Sequence, residues 1–496
     1  MSLTRTVAWN TVVQVAGRAV GLLASMAVTA LLTRHLGLAQ YGQMVTAATF
    51  VGLFSILGDA GLYLAIVRRA AQEPERRSQI LGAGFGLRLV LAAAPMIAAY
   101  LLIQVVPADR FPTYGPAVKL AVAVCAVNTY ITLLNQLLIA VFRLHLRMDL
   151  AAGGEFLSRV VSLGAVVWVV HSGGGLIAAC IAVSTGPAAN FVYAWFVTRR
   201  FERFVPHFDR AISRELLGDS VVLTMVTLLG LIHFKVDTLL LSVLRTPTDV
   251  GVYGVAYKLH EVLITFPGLF VGLLFPVFSR LATTDVPRLQ QVFQRTFEVL
   301  LLASVGAATV VFVAAPPLAA ILGAPEAAHA MRVLAFALPA VFVSLGFTHL
   351  LLAEGRQGWL VRMYFVLVVV NIGANVVAIR AWSYMGAAAV TVATESMALA
   401  ALAGYWIGRR RWRLQLRVLT CVPLAAGLAV AGCSLGRLIA PSEPTTRILE
   451  LAVRGGFTGL SYAGAVLALR LVPLATLRAL RPGTSPAAAG ASRDAL

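Results

Sequence analysis

The sequence predicts an all-α polytopic membrane protein of about fourteen transmembrane helices. Three observations predict it. Of the 496 residues, 59% are hydrophobic and only 12% charged, where soluble domains carry about a quarter charged residues. Mean hydropathy is +0.86. Apolar runs of bilayer-spanning length, about 20 residues, follow one another with short breaks and leave no room for a separate catalytic domain.

Apolar runs bounded by charge, Gly or Pro place the spans at 12–32, 41–67, 80–106, 116–142, 150–171, 176–198, 215–243, 252–281, 293–313, 331–353, 361–379, 386–408, 417–439 and 449–472. Alternate loops and helix ends differ sharply in charge: one set holds 26 arginines, the other only Arg34, Arg110, Arg245, Arg380, Arg437 and Arg447. By the positive-inside rule the richer set and both termini are cytoplasmic. That pattern absorbs the net charge of +19, which in a soluble chain would point to nucleic acid. No nucleic-acid partner is expected.

The four cysteines, Cys125, Cys180, Cys421 and Cys433, lie in apolar runs without CxxC spacing or a His/Cys cluster, and read as small packing residues with no metal or disulfide role. No cofactor is expected. The first apolar run carries Arg18 and leads directly into further spans, so it is expected to stay attached as the first helix.

The longest break on the arginine-rich side, Arg199 to Arg214, divides the chain into a six-helix lobe (1–200), a second six-helix lobe (201–412), two additional helices (413–472) and a tail (473–496) whose Ala, Gly, Ser and Pro content predicts a disordered cytoplasmic segment. The halves echo each other faintly, with Tyr41-Gly42 in one and Tyr253-Gly254 in the other. Pro187, Pro267 and Pro339 are expected to kink their helices. Asp285 to Glu298 has the spacing of an interfacial helix, and Gly17 and Gly21 form a GxxxG suited to close packing.

Thr33-Arg34-His35-Leu36-Gly37, Tyr41-Gly42 and Gly58-Asp59-Ala60-Gly61-Leu62 resemble the start of bacterial polysaccharide flippases, the exporters of O-antigen and exopolysaccharide repeat units. The resemblance continues through Val236-Asp237-Thr238, Val250-Gly251-Val252-Tyr253, Tyr257-Lys258-Leu259, Pro267 and Pro276, and covers about residues 5 to 410. Asp-Ala-Gly at 59–61 replaces the more usual Asp-Leu-Gly. The family belongs to the multidrug/oligosaccharidyl-lipid/polysaccharide exporter superfamily, which implies two lobes facing each other across a cavity and alternating access.

An ionisable group at mid-bilayer costs on the order of 3 kcal/mol on insertion scales and should face a partner or a wet cavity. At 1.5 Å per residue, Arg18, Arg88 and Arg159 lie roughly 10, 12 and 13 Å from the arginine-rich side, and Asp59 comes to the same level. In one reading Arg18, Arg88 and Arg159 receive the pyrophosphate of a lipid-linked sugar, guanidinium forks matching phosphate oxygens in pairs. In the other, Arg159 pairs with Glu155, and Arg18 or Arg88 with Asp59, as structural bridges. In the second lobe Asp237, Lys258, Glu261 and Glu395 share a level, and serve either as a structural pair, Asp237 with Lys258, or as a site coupling H+ or Na+ to export. His233 and His260 receive no role.

The expected function is translocation of undecaprenyl-pyrophosphate-linked oligosaccharide across the inner (cytoplasmic) membrane, ion-coupled, beside a polysaccharide polymerase and glycosyltransferases as partners. A cation-coupled multidrug antiporter of the same superfamily is the alternative, disfavoured by the buried arginines. A membrane-embedded polymerase or ligase would need a sizeable loop with polar catalytic groups, and the breaks at Ala314 to Ala330 and Ala440 to Ile448 are short and poor in them. The chain therefore reads as a transporter.

Overall fold

A computed structural model describes residues 3–59, 61–107, 111–145, 147–218, 221–410, 427 and 447–468, with side chains described from Gly21 onward except at 64, 112, 218, 221–224, 409–410 and 467–468. The predicted thirteenth span apart from residue 427, the predicted tail, and Cys421 and Cys433 lie outside the described residues. Every element of regular structure among the described residues is helical.

Helix α1 (Leu3–Asp59) has 57 residues, about 85 Å of rise, far more than a hydrocarbon core of about 30 Å. It is broken at Gly37, whose φ of 73° is a left-handed conformation open to glycine. The arms either side are the first two predicted spans. The second arm stops earlier than expected: α1 ends at Asp59, Gly61 is left-handed at φ 66°, and α2 (Leu62–Gln72) starts afresh. Asp59 thus sits at a helix break inside the predicted span. Helices α3 (Arg77–Val105), α4 (Pro116–Leu144), α5 (Met148–His171) and α6 (Leu176–Thr198) follow prediction.

The second half opens with a short amphipathic helix, α7 (Arg210–Gly218). Asp209 caps it by accepting from Ala211 and Ile212 N–H, and Ile212 and Leu216 are buried. Then come α8 (Val221–Leu244), α9 (Pro247–Thr284) and α10 (Val286–Ile321). The Asp285 to Glu298 stretch is not an interfacial helix. It forms the first turns of α10, because its apolar face has a partner: Leu289 and Phe293 are buried, and the Phe293 ring lies 4.9 Å from Phe347 and 5.2 Å from Trp406. The Ala314 to Ala330 break is also mostly helical, since α10 runs on through Pro316 and Pro317 and α11 (Ala327–Ala335) begins six residues after α10 ends. A 43° bend separates α11 from α12 (Ala337–Ala353). Pro339 sits in the first turn of α12, where its missing N–H costs nothing. Helix α13 (Gln357–Arg410) breaks at Ser383, and α14 (Arg447–Ala468) packs along α10, with Tyr462 Oη donating to Leu302 O at 2.9 Å.

Among the described residues nine helices are long and apolar enough to cross a membrane, and the bent α11–α12 pair makes ten. The breaks at Gly37 and Ser383 halve two of these, which gives twelve crossing arms before α14. Helices α1 and α3 to α6 pack chiefly among themselves, as do α8 to α13, and the two groups meet through α1 against α8 and α9. The connection between them is strapped to the first group: His207 N donates to Gly82 O, and Gly82 and Gly86 leave room for the strap backbone that a Cβ would fill.

The groups close on each other at their arginine-poor end, backbone against backbone. A Cβ on Gly42 would lie 1.8 Å from Pro247 O, and one on Gly251 2.1 Å from Leu38 O. Gly254 meets Val45 in the same seam, so the repeated Tyr-Gly pairs mark where the halves touch. Arg34 Nη2 donates to Ile321 O at 2.8 Å, and Tyr114 Oη meets Ser242 Oγ at 2.6 Å across the same end.

Candidate functional site

Inside the seam lie two cavities that share Val183 of α6 in their walls. One, about 470 Å³, lies between the groups and is lined by α1, α8 and α9; the other, about 370 Å³, is cut into the first group between α4, α5 and α6.

The first-group cavity follows from glycine and proline on α5 and α6. Gly154 and Gly186 bring the helices close: a Cβ on either would fall 2.3 Å from Asn190 Oδ1 or Ser158 O. Pro187 removes the hydrogen bond to Val183 O, and Ser162 Oγ donates to that carbonyl at 3.0 Å instead. Gln136, Arg143, Glu155, Arg159 and Asn190 line the space so formed.

Arg159 and Glu155 lie one turn apart, with 3.6 Å between Arg159 Nη2 and Glu155 Oε1, and Gly21 of α1 packs beside them. Arg88 is fully buried and lines neither cavity. Its Nη2 donates to Asp59 Oδ1 at 2.6 Å and to Gln136 Oε1 at 2.8 Å. The break at Asp59 places this carboxylate against α3. Arg18 lies on α1, and its side chain is outside the described residues.

In the second group the expected Asp237–Lys258 pair does not form. Asp237 is buried, accepting from Tyr253 Oη, from Thr391 Oγ1 at 3.2 Å and from its neighbour Thr238 N at 2.6 Å. Lys258 instead approaches Glu261 at 3.5 Å, and Glu261 accepts a closer bond from Lys235. Helical azimuth explains the difference. Residues 235 and 237 are about 200° apart on α8, so at one depth Lys235 faces the inter-group cavity and Asp237 faces α9 and α13. Lys235, Lys258 and Glu261 line that cavity together. Glu395 is elsewhere, in the core beside His233, with 3.4 Å between Glu395 Oε1 and His233 Nε2.

Lys235, Arg143 and Gln136 are cavity residues that sequence reasoning missed. Lys235 lies inside the predicted span 215–243 and so carries the signal of an intramembrane cation, Arg143 is one of the arginines of the richer set of loops and helix ends, and a neutral Gln136 gives no signal. The other intramembrane cations serve the scaffold: Arg332 Nε donates at 3.2 Å to Phe312 O, the carbonyl that Pro316 strips of its helical donor, Lys119 caps Gln104 O at the end of α3, and Arg454 pairs with Glu450 at 2.7 Å. Beyond Asp237, Asn371, Asn375 and Thr394 form a buried polar chain, with Asn375 Nδ2 on Asn371 Oδ1 at 2.9 Å and Asn371 Nδ2 on Thr394 Oγ1 at 3.1 Å.

The model of the polysaccharide biosynthesis protein family matches residues 3–282, and the MatE model matches residues 223–377. A relative from Haloferax volcanii, named a probable low-salt glycan biosynthesis flippase, Agl15, is 24% identical over 368 residues, 72% of this chain and 74% of its own. The fold is similar to that of the lipid II flippase MurJ in an inward closed conformation, with a TM-score of 0.74 at 11% identity over 93% of this chain and 99% of that one. It is also similar to an inward-facing multidrug resistance MATE transporter, with a TM-score of 0.65 at 15% identity over 79% of this chain and 94% of that one.

Proposed function

The chain belongs to the polysaccharide biosynthesis protein family, and from that premise we propose that it is a flippase carrying undecaprenyl-pyrophosphate-linked oligosaccharide repeat units across the inner membrane by alternating access. It is a multi-pass transporter and not an enzyme. The observation that carries the substrate reading is the pairing of a closed seam at the arginine-poor end with charged cavities just inside it. A polar headgroup needs such a shielded path through hydrocarbon, and Lys235, Lys258, Arg143 and Arg159 give the path a net positive lining that favours phosphate. With the arginine-rich loops and both termini cytoplasmic, the closed seam is periplasmic and the cavities belong to the loading state.

Ion coupling by H+ or Na+ is the finer part of this reading. Asp237 supports it best: a buried carboxylate with hydroxyl and amide donors and no Lys or Arg in bonding distance among the described residues. Lys258 and Glu261 then belong to the cavity, and Glu395 with His233 to the core.

The MatE match over residues 223–377 favours a second reading, a cation-coupled multidrug antiporter. The positive lining opposes it, because cationic drugs would be repelled. The deciding experiment is deletion of the gene: the flippase reading expects lipid-linked saccharide to accumulate on the cytoplasmic leaflet while surface polysaccharide is lost. Unchanged polysaccharide with raised drug sensitivity would establish the antiporter instead.

A further inference from the structure

The cavity of the first group contains a donor set whose orientation is dictated from behind. A guanidinium has only N–H donors, so the Gln136 atom facing Arg88 at 2.8 Å is Oε1, and the amide nitrogen must turn the other way. Gln136 lines the cavity, and its Nε2 has no hydrogen-bond partner among the described residues. Arg88 is itself held: it is fully buried, and the same Nη2 is fixed by Asp59 at 2.6 Å. Asp59, Arg88 and Gln136 therefore form a chain whose outer end is two N–H donors. Arg143 and Arg159 stand in the same wall, where Glu155 is the one acid among the described residues, and Arg159 Nε is shut off from solvent with no partner among them. Two guanidinium groups, an outward amide and one carboxylate leave a net positive charge and suit an anionic ligand rich in acceptors.

We infer that this cavity seats the phosphate oxygens of the substrate, with Gln136 Nε2 donating to one of them and Arg143 and Arg159 supplying the charge. Arg88 is a positioning residue: it fixes the Gln136 amide and does not touch phosphate. This rests on the flippase reading and names the residues that would read its lipid pyrophosphate. In the inter-group cavity both lysines are already paired to Glu261.

The test uses the full chain in lipid nanodiscs, with undecaprenyl pyrophosphate and inorganic pyrophosphate as separate probes. Gln136→Glu keeps an acceptor toward Arg88 and removes the outward donors, so it should weaken undecaprenyl pyrophosphate binding about tenfold or more, the size of one charge-assisted hydrogen bond, with unchanged thermal stability. Arg88→Lys, still donor-only, should rescue binding to within about threefold of wild type, whereas Arg88→Met, which frees the amide to turn, should not; a merely structural arginine would not separate the two at equal stability. If inorganic pyrophosphate binds and loses affinity in parallel, the cavity reads phosphate itself; if only the lipid form does, the prenyl chain contributes. Should Gln136→Glu fail to assemble, modification of Met148→Cys in the same wall, followed by peptide mass spectrometry, should be slowed by undecaprenyl pyrophosphate. Wild-type affinity in Gln136→Glu, or no protection at position 148 while the wild type binds, overturns the site and leaves the flippase reading standing. A wild type that binds no undecaprenyl pyrophosphate sinks both.

Discussion

The two six-helix groups each bring acids and cations to one membrane level and then treat them differently. In the first, Arg88 is 0% exposed, and its contacts are to an Asp59 that is 33% exposed and to Gln136 in the cavity wall. In the second, Lys235, Glu261 and Lys258 stand in a cavity with side chains 25–38% exposed, while Asp237, two residues from Lys235, is turned into the core and held by hydroxyls. A guanidinium with no exposed surface cannot trade its partner for a ligand without opening the fold, and a cavity-facing cluster can. Arg88 therefore supports a wall, whereas Lys235, Glu261 and Lys258, like Arg143 and Arg159 in the first group's own cavity, stand where a ligand can reach them.

Stranding the buried Arg88 should have the largest effect. Asp59→Asn leaves a guanidinium in the core without a counter-charge, a cost of roughly 3–5 kcal/mol, read as loss of folded yield in size-exclusion chromatography. Adding Arg88→Met removes the stranded charge and should restore most of that yield. A single variant as well folded as wild type would show that Asp59 is not what makes the burial of Arg88 tolerable.

The next comparison separates two residues that share a depth. Asp237→Asn keeps an acceptor for Tyr253 and Thr391 but buries an amide with no partner, at about 1–3 kcal/mol. Lys258→Met should change stability little, because Lys258 is partly exposed, its bond to Glu261 is long, and Lys235 still neutralises that carboxylate. Their effects should add within about 0.5 kcal/mol, as expected of side chains that do not meet. A double variant more stable than Asp237→Asn alone would restore the direct pair.

Why one relation was legible and the other was not follows from what a sequence encodes. The length of each apolar run and the arginine asymmetry fix the order of the crossings and the level of each charge, so Asp59 and Arg88 could be placed together, as could Glu155 and Arg159, one turn apart. Level does not give azimuth. Asp237 and Lys258 agree in depth yet point away from each other, and only the register of α8 against α9 and α13 decides it. The glycines of the seam were visible as a Tyr-Gly echo, but that they mark backbone contact depends on helices far apart in sequence. Gln136 was invisible for another reason: a neutral amide becomes a directed donor only when something fixes its oxygen.

The smallest effect sharpens the contrast through salt. Ions in a wet cavity are screened by added electrolyte, and ions sealed in protein are not. Glu261→Gln removes the shared partner of two partly exposed lysines, which should cost less than about 1 kcal/mol at low ionic strength. Raising the salt tenfold shortens the screening length about threefold, so that penalty should shrink toward zero, because Lys235 and Lys258 then find counter-ions in solution. The penalty for Asp59→Asn should shrink much less, since the Arg88 it strands is fully buried. Thermal melts of both variants against wild type at two salt concentrations read the difference directly. A Glu261→Gln penalty that does not move with salt would mean the cavity excludes ions in this state, and the two clusters would then differ in geometry alone.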